Sequence, residues 1–135
     1  MFNDIITNMY YGFTESESFS DPTILNTYQL HKVIIERRSD GKGFWHIFIL
    51  HIEDVDIEKV VTDVSKELKG DWNAMFFNSD MVHAVFKDKV FSLQRKTVWQ
   101  PSDYLEIKNY AKACNVGDLD MNDVFKHYNN LLGIK

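Results

Sequence analysis

The stretch QLHKVIIERRSDGKGFWHIFILHIE, residues 29–53, decides the fold of this 135-residue chain. Residues 29–38 predict a strand, because charged and apolar side chains alternate along them. The segment from Ser39 to Gly43 has turn chemistry, since an Asp-Gly pair tolerates positive φ. Residues 44–53 predict a second strand that is apolar on both parities, which is typical of a strand covered on both faces. Together these segments predict a β-hairpin.

An amphipathic helix is predicted after the hairpin. Apolar residues recur at the spacing of one buried helical stripe, namely Ile57, Val60, Val61, Val64 and Leu68. Asp56 is a good N-cap for this helix, and Gly70 stands where a left-handed residue is favoured after the last turn. The pattern predicts a helix over residues 57–69 that packs on the sheet.

Residues 72–95 predict three more strands. They read WNAMFFN, MVHAVFK and VFSLQR, and polar residues that favour tight turns lie between them. Loops this short join antiparallel strands. Two closing helices are predicted after Pro101 and after Asp120, because a proline and an acidic cap suit the first turn of a helix.

The predicted element order is β-β-α-β-β-β-α-α. It indicates an α+β fold with a single, mainly antiparallel sheet of about five strands, with helices packed on it and a ferredoxin-like or split-sheet character. We expect an N-terminal arm at residues 1–28 and a single α+β domain at residues 29–135, a length that suits one domain.

The predicted N-terminal arm differs in composition from the rest of the chain. It holds four acidic residues and no Lys or Arg, against a net charge of −5 for the whole chain. Its aromatic residues argue against a free tail, because disordered segments are poor in aromatic residues. We expect the arm to pack on the domain or on a partner, with a helical turn after Asp21 and Pro22.

Charge and cysteine content narrow the classes of function. The chain has 15 Lys and Arg residues against 20 Asp and Glu residues, which opposes binding to nucleic acid or to an anionic membrane surface. Arg37, Arg38 and Lys42 are the best candidates for a nucleic-acid contact, but a solvated turn is the simpler interpretation, so neither nucleic acid nor a membrane is an expected partner. A single cysteine, Cys114, and the lack of a signal peptide favour a cytoplasmic protein.

The sequence lacks the common motifs for metals, nucleotides and nucleophiles. His46 and His51 fall on opposite faces of one strand, and no zinc pattern occurs. The segment from Asp118 to Asn129 matches a calcium loop only over its first three ligands. Neither a phosphate loop nor a nucleophile elbow is found. We therefore expect no metal and no cofactor, and an enzyme is the less favoured class.

One group of polar side chains could form a ligand pocket or an acid–base site. His83 is predicted in mid-strand, Arg95 ends the next strand, and His51 and Glu53 end the long apolar strand on one parity. If these strands are neighbours, the four side chains converge on one sheet face, with Trp72 as an apolar wall. A half-exposed strand histidine among rim charges is the simpler interpretation, and we favour it.

Three segments resemble a family of small bacterial proteins that are described only as uncharacterised or hypothetical. The segments run from Trp72 to Asn78, from Val85 to Phe91, and from Tyr11 to Phe19 followed by Asp21-Pro22. The resemblance extends from residue 11 to the helix near residue 115, and the family has polar residues at the position of Met75. It implies no activity and no ligand.

We expect a non-enzymatic interaction or binding module that self-associates as a homodimer. The doubly apolar strand at residues 44–52, together with Trp72, Trp99 and the aromatic arm, supports this expectation. Aromatic residues are enriched in interfaces, and two-fold dimers are the commonest oligomers. The alternative is a small-molecule-binding protein or a small acid–base enzyme, with a pocket around His83 on the sheet face.

Overall fold

The computed structural model describes residues 9–95, 100–116 and 121–133. The chain divides into two compact units, residues 1–95 and residues 96–135. The sheet and one α-helix belong to the first unit, and two further α-helices belong to the second.

The first unit contains one six-stranded antiparallel sheet. Its strands are β1 Tyr10–Glu15, β2 Gln29–Arg37, β3 Phe44–Ile52, β4 Asn73–Phe77, β5 Met81–Phe86 and β6 Lys89–Gln94. They lie in the spatial order β2-β3-β1-β4-β5-β6, and every neighbouring pair is antiparallel. The predicted α+β class with one antiparallel sheet is confirmed, with one strand more than the sequence indicates.

The additional strand is β1, which lies within the predicted N-terminal arm. It pairs with β3 along its whole length and with β4 around Gly12. The polar Thr14 is accommodated because its hydroxyl donates to the carbonyl of Phe48 over 2.8 Å. Gly12 lies against the ring of Phe76, where a Cβ atom would collide with that ring. Residues 10–15 are therefore a central strand of the sheet and not an arm on its surface.

Helix α1, Ile57–Glu67, packs on one face of the sheet, which we call the helix face. Its apolar stripe meets buried side chains from the central strands. The buried cluster includes Ile57, Val60, Val61, Val64, Leu68, Leu50, Ile52, Ala74, Phe76 and Val85. The predicted stripe is confirmed, and the helix ends two residues earlier than the sequence indicates.

The opposite face of the sheet is apolar and buried as well. Ile49 of β3, Met75 of β4 and Val82 of β5 are fully buried there. Leu50 and Ile52 are buried on the helix face. β3 is thus buried on both faces, as its doubly apolar sequence predicts.

The segment after β1 is tied to the end of α1. Ser20 donates its backbone N–H to the carbonyl of Glu67 over 3.0 Å. A 3-10 helix, Pro22–Thr27, follows, and the side chain of Asp21 caps it by accepting a backbone N–H. The helical turn that the sequence predicts after Asp21 is confirmed in this form.

The second unit contains helix α2, Pro101–Ala113, and helix α3, Met121–Leu132. α2 begins with the expected proline, and Gln100 and Asp103 form a capping box around it. Among the described residues, no helix is long and apolar enough to cross a membrane. Three residues with predicted roles fall outside the described part of the chain: Trp99, Asp118 and Asp120.

Candidate functional site

The side chains predicted to form one site lie on both faces of the sheet. His83 of β5 pairs with Phe76 of β4, and Phe76 belongs to the core on the helix face. His51 of β3 pairs with Tyr11 of β1, which in turn pairs with Phe77 of β4. Paired residues of antiparallel strands point to the same face, and neighbours along one strand point to opposite faces. His83 therefore lies on the helix face and His51 on the other face, so the two do not share a pocket.

His83 is a buried histidine that joins β5 to β6. Its Nδ1 atom lies 2.7 Å from Ser92 Oγ, and its ring centroid is 5.3 Å from that of Tyr10. Its Nε2 atom is buried and has no hydrogen-bond partner among the described residues. Burial lowers the pKa of His83, and the carboxylates of Glu58 and Asp54 oppose this shift only in part. The imidazole is therefore neutral at neutral pH, and it belongs to the core, whereas the sequence suggested a half-exposed side chain.

Arg95 stabilises the turn between β4 and β5. Its Nη1 atom donates to the carbonyl of Asn78 over 3.0 Å, and its guanidinium lies 5.1 Å from the centroid of the Phe77 ring. The Asn78 side chain accepts two backbone N–H groups of the same turn, each over 2.8 Å. Because Phe77 points to the face opposite His83, Arg95 and His83 do not converge.

Trp72 belongs to an aromatic cluster at the start of β4. Its ring packs edge-on against Trp45 with centroids 5.3 Å apart, and the guanidinium of Arg38 lies 4.5 Å from the Trp45 ring. Phe76, the residue that pairs with His83, is four positions further along β4, a separation of about 13 Å in an extended strand. Trp72 is therefore not the wall of a site at His83.

The basic cluster around the hairpin turn is partly neutralised. The Lys42 backbone N–H donates to the Asp40 carboxylate over 2.9 Å, and the Arg38 guanidinium forms an ion pair with it over 2.7 Å. The Lys42 hydrogen bond and the Arg38 contact together hold the pKa of Asp40 below its usual value. The geometry agrees with a solvated turn better than with a surface that binds phosphate groups.

His51 and Glu53, by contrast, are brought together in a cleft of about 450 Å³. The cleft lies where β3 ends, where β2 begins and where the first half of α1 passes. Buried Ile52 and Val60 supply its apolar surface. His51 lines the cleft, and its imidazole stacks on Tyr11 with ring centroids 5.4 Å apart, on the sheet face opposite α1.

Carboxylates outnumber cations around this cleft. Glu53, Asp56 and Asp63 all line it, and Lys59 forms an ion pair with Asp63 over 2.7 Å. Tyr28 also lines it, and burial, together with the charge of Asp63, raises the pKa of its hydroxyl. The described residues contain no group of three or more His, Cys, Asp or Glu side chains that could hold a metal ion. The chemistry of the cleft suits an organic ligand that carries a positive charge.

A different surface, the outer edge of β2, was not indicated by the sequence. In the described part of the chain, β2 pairs with β3 on one side only. Leu30 pairs with Leu50 and Val33 pairs with Phe48, so both point to the helix face, as does Ile35. Their exposed fractions are 48% for Leu30, 41% for Val33 and 61% for Ile35.

Phe44 at the start of β3 extends this apolar surface. It lies on the same parity as Phe48 and is 54% exposed. We call Leu30, Val33, Ile35 and Phe44 the edge stripe. The alternation of β2 could have revealed it, because it predicts one apolar parity. The sequence does not show that α1 leaves this parity exposed.

Comparisons with protein family models, with curated proteins and with solved structures gave no match for this chain. The resemblance to uncharacterised bacterial proteins therefore stays a prediction.

Proposed function

We propose that this protein is a non-enzymatic interaction module that forms a homodimer through the outer edge of β2. The observation that carries the proposal is the edge stripe, in which three exposed apolar side chains of the nine-residue edge strand β2 are joined by exposed Phe44 of β3. Among the residues that the structure describes, Val55 and Leu105 are the other large exposed apolar side chains, and they lie on separate elements. A contiguous apolar surface on a soluble domain is typical of an interaction site.

The backbone of β2 supports the same proposal. An edge strand presents N–H and C=O groups that a further strand can pair with, and pairing with a second chain satisfies them. An interface that is built on one strand falls at the small end of specific interfaces, at about 1,200 Å² in total. We therefore expect a reversible dimer with a dissociation constant in the micromolar range.

Light scattering and sedimentation over a concentration series test the proposal. The unmodified protein is expected to reach the mass of a dimer as its concentration rises through the micromolar range. Ile35→Glu places a charge in the edge stripe, so we expect the dissociation constant to rise by at least about tenfold. Val55→Glu is the matched control, because Val55 is exposed and apolar but lies on the 3-10 helix at Asp54–Asp56. A monomer at high micromolar concentration would overturn the proposal.

Small-molecule binding is a second candidate function, and the cleft at His51 and Glu53 favours it. A volume of about 450 Å³ is within the range of ligand sites, and apolar surface beside a few polar groups is their usual composition. The excess of carboxylates favours an organic cation with an apolar body. This candidate replaces the pocket around His83 that the sequence indicated.

A matched pair of probes tests the second candidate. Phenethylamine and 2-phenylethanol share an apolar body, but only the amine carries a positive charge at neutral pH. In a nitrogen–proton correlation spectrum, we expect the amine to change the chemical shifts of residues around the cleft. We expect the alcohol to cause smaller changes at the same residues. Glu53→Gln is expected to weaken amine binding, and Glu106→Gln on α2 is the control. Equal responses to both probes would exclude the charge-based interpretation.

A further inference from the structure

We propose that two copies of the chain pair β2 with β2, antiparallel, in a single register whose two-fold axis passes through Ile34. The proposal rests on the homodimer proposed above and specifies its interface. Each copy contributes a six-stranded sheet, and β2 is at the edge of each, so the pairing creates one continuous sheet across the dimer.

Two-fold symmetry restricts the registers that are available. When identical antiparallel strands are related by an axis perpendicular to the sheet, one residue lies opposite its own copy. Residues at equal distances on either side of it then lie opposite each other and share a face. The positions from Lys32 to Glu36 are the candidates for the axis, because they lie in the part of β2 that pairs regularly with β3, residues 32–37.

The axis at Ile34 brings opposite charges together. Lys32 then lies opposite Glu36 of the partner subunit, and the symmetry repeats this pair on the other side of the axis. Val33 lies opposite the partner subunit's Ile35, so the exposed β-branched side chains of the edge stripe meet on the helix face. Cross-strand pairs of opposite charge and pairs of β-branched residues both stabilise a sheet.

The other axis positions give poorer pairs. An axis at Lys32 or at Glu36 sets that charge opposite its own copy. An axis at Ile35 sets Glu36 opposite the partner subunit's Ile34, and it sets Lys32 opposite the like charge of Arg38 of the partner subunit, the first residue after β2. An axis at Val33 sets Lys32 opposite the partner subunit's Ile34, which places a charge opposite an apolar side chain. Like charges directly opposite each other destabilise a sheet.

The geometry of β2 supports the same register. A bulge interrupts the pairing with β3 between Leu30 and Lys32, and β2 ends at Arg37 before the hairpin turn. The regular part of the strand, residues 32–37, has its middle between Ile34 and Ile35. Charges and bulges usually protect an edge strand from pairing. In β2 the charges of Lys32 and Glu36 are placed so that they disfavour most pairing registers and favour one.

Charge reversal is the sharpest test of this register. Lys32→Glu and Glu36→Lys each replace both opposite-charge pairs of the dimer with like-charge pairs, so we expect each single variant to raise the dissociation constant about tenfold. The double variant re-forms both pairs with reversed polarity, and its dissociation constant is expected to return to within about threefold of the original. The two residues are about 13 Å apart along one strand, so the rescue cannot arise within one copy.

The outcomes separate this proposal from the homodimer itself. A dimer whose affinity is unchanged by all three variants, or not restored by the double variant, overturns the register and leaves the homodimer intact. A monomeric unmodified protein overturns both. Far-UV circular dichroism checks that each variant folds, and because β2 is an exposed edge strand we expect all of them to do so.

Disulfide trapping gives a second, independent readout. In a Cys114→Ser background, Ile34→Cys is expected to cross-link to its own copy under mild oxidation, because directly opposed strand residues have Cα atoms within disulfide range. Ile35→Cys is the matched control, since it lies opposite the partner subunit's Val33 and is diagonal to its own copy. More cross-linking at position 35 than at position 34 would contradict the proposed axis.

Discussion

In both β1 and β2, the hydrophobicity of the sequence does not match the burial of the strand. β1 reads YYGFTE and is rich in polar groups, yet it lies in the centre of the sheet, where Phe13 and Thr14 are buried. β2 reads QLHKVIIER and alternates regularly, yet it lies at the edge, where Val33 and Ile35 are exposed. Pairing with distant strands therefore decides burial in this protein more than local hydrophobicity does.

The polar residues of buried β1 and the apolar residues of exposed β2 are accommodated in different ways. In β1 the neighbouring strands accommodate the polar and small residues, through the hydrogen bond from Thr14 to Phe48 and the ring of Phe76 against Gly12. In β2 the described residues of the same chain do not cover the apolar side chains, and a second copy is the proposed cover. If this comparison is correct, matched substitutions in the two strands must have opposite consequences for stability and for association.

The largest expected effect is the loss of stability in Gly12→Ala. The added methyl group would collide with the fully buried ring of Phe76, and overpacking of this kind costs about 1–3 kcal/mol. Gly70→Ala is the matched control, because a Cβ atom there meets nothing within 4 Å. Urea unfolding of both variants measures the difference. Equal stability of the two variants would contradict the close contact in the centre of the sheet.

A smaller effect is expected for a matched exchange of hydroxyl and methyl groups. Thr14→Val removes the donor to the Phe48 carbonyl in a buried site, and we expect a loss of about 1 kcal/mol in the free energy of unfolding. Val33→Thr makes the reverse exchange on exposed β2 and is expected to change it by less than about 0.5 kcal/mol.

The measurement needs dilute protein, so that dissociation of a dimer does not contribute to the unfolding of Val33→Thr. The same variant is then examined at high concentration, where it is expected to weaken association because Val33 is in the edge stripe. A large loss of stability in dilute Val33→Thr, or none in Thr14→Val, would remove the contrast between the two strands.

Much of the fold follows from local sequence patterns. The hairpin at residues 29–53, the stripe of α1 and the three strands of residues 72–95 are confirmed, because each has its own periodicity and its own turn residues. β1 could not be predicted in this way. Its Gly12 and Thr14 fit a central strand only because of Phe76 and Phe48, which are distant in sequence.

The candidate site was harder to predict for a related reason. The sequence puts His51 and Glu53 at the end of β3, and both line the cleft. Whether His51 and His83 share a sheet face depends on the order and pairing register of β3, β1, β4 and β5. The alternation of side chains along a single strand does not determine either. A shift of one residue in any register exchanges the two faces of a strand.

The smallest expected effect concerns pH and extends the comparison to the histidines. His83 lies on interior strand β5, and burial lowers its pKa below the unfolded value of about 6.5. As the pH falls below that value, the unfolded chain takes up the proton first, so the free energy of unfolding decreases with falling pH until the lowered pKa of the folded state is reached. Between pH 7.5 and pH 5.5, His83→Gln is expected to lose less stability than the unmodified protein. His127→Gln on α3 is the control, because His127 is exposed. If both variants keep the full pH dependence of the free energy of unfolding, burial of the His83 imidazole does not contribute to that dependence. The interior and the surface of the molecule then differ less than the comparison of β1 with β2 implies.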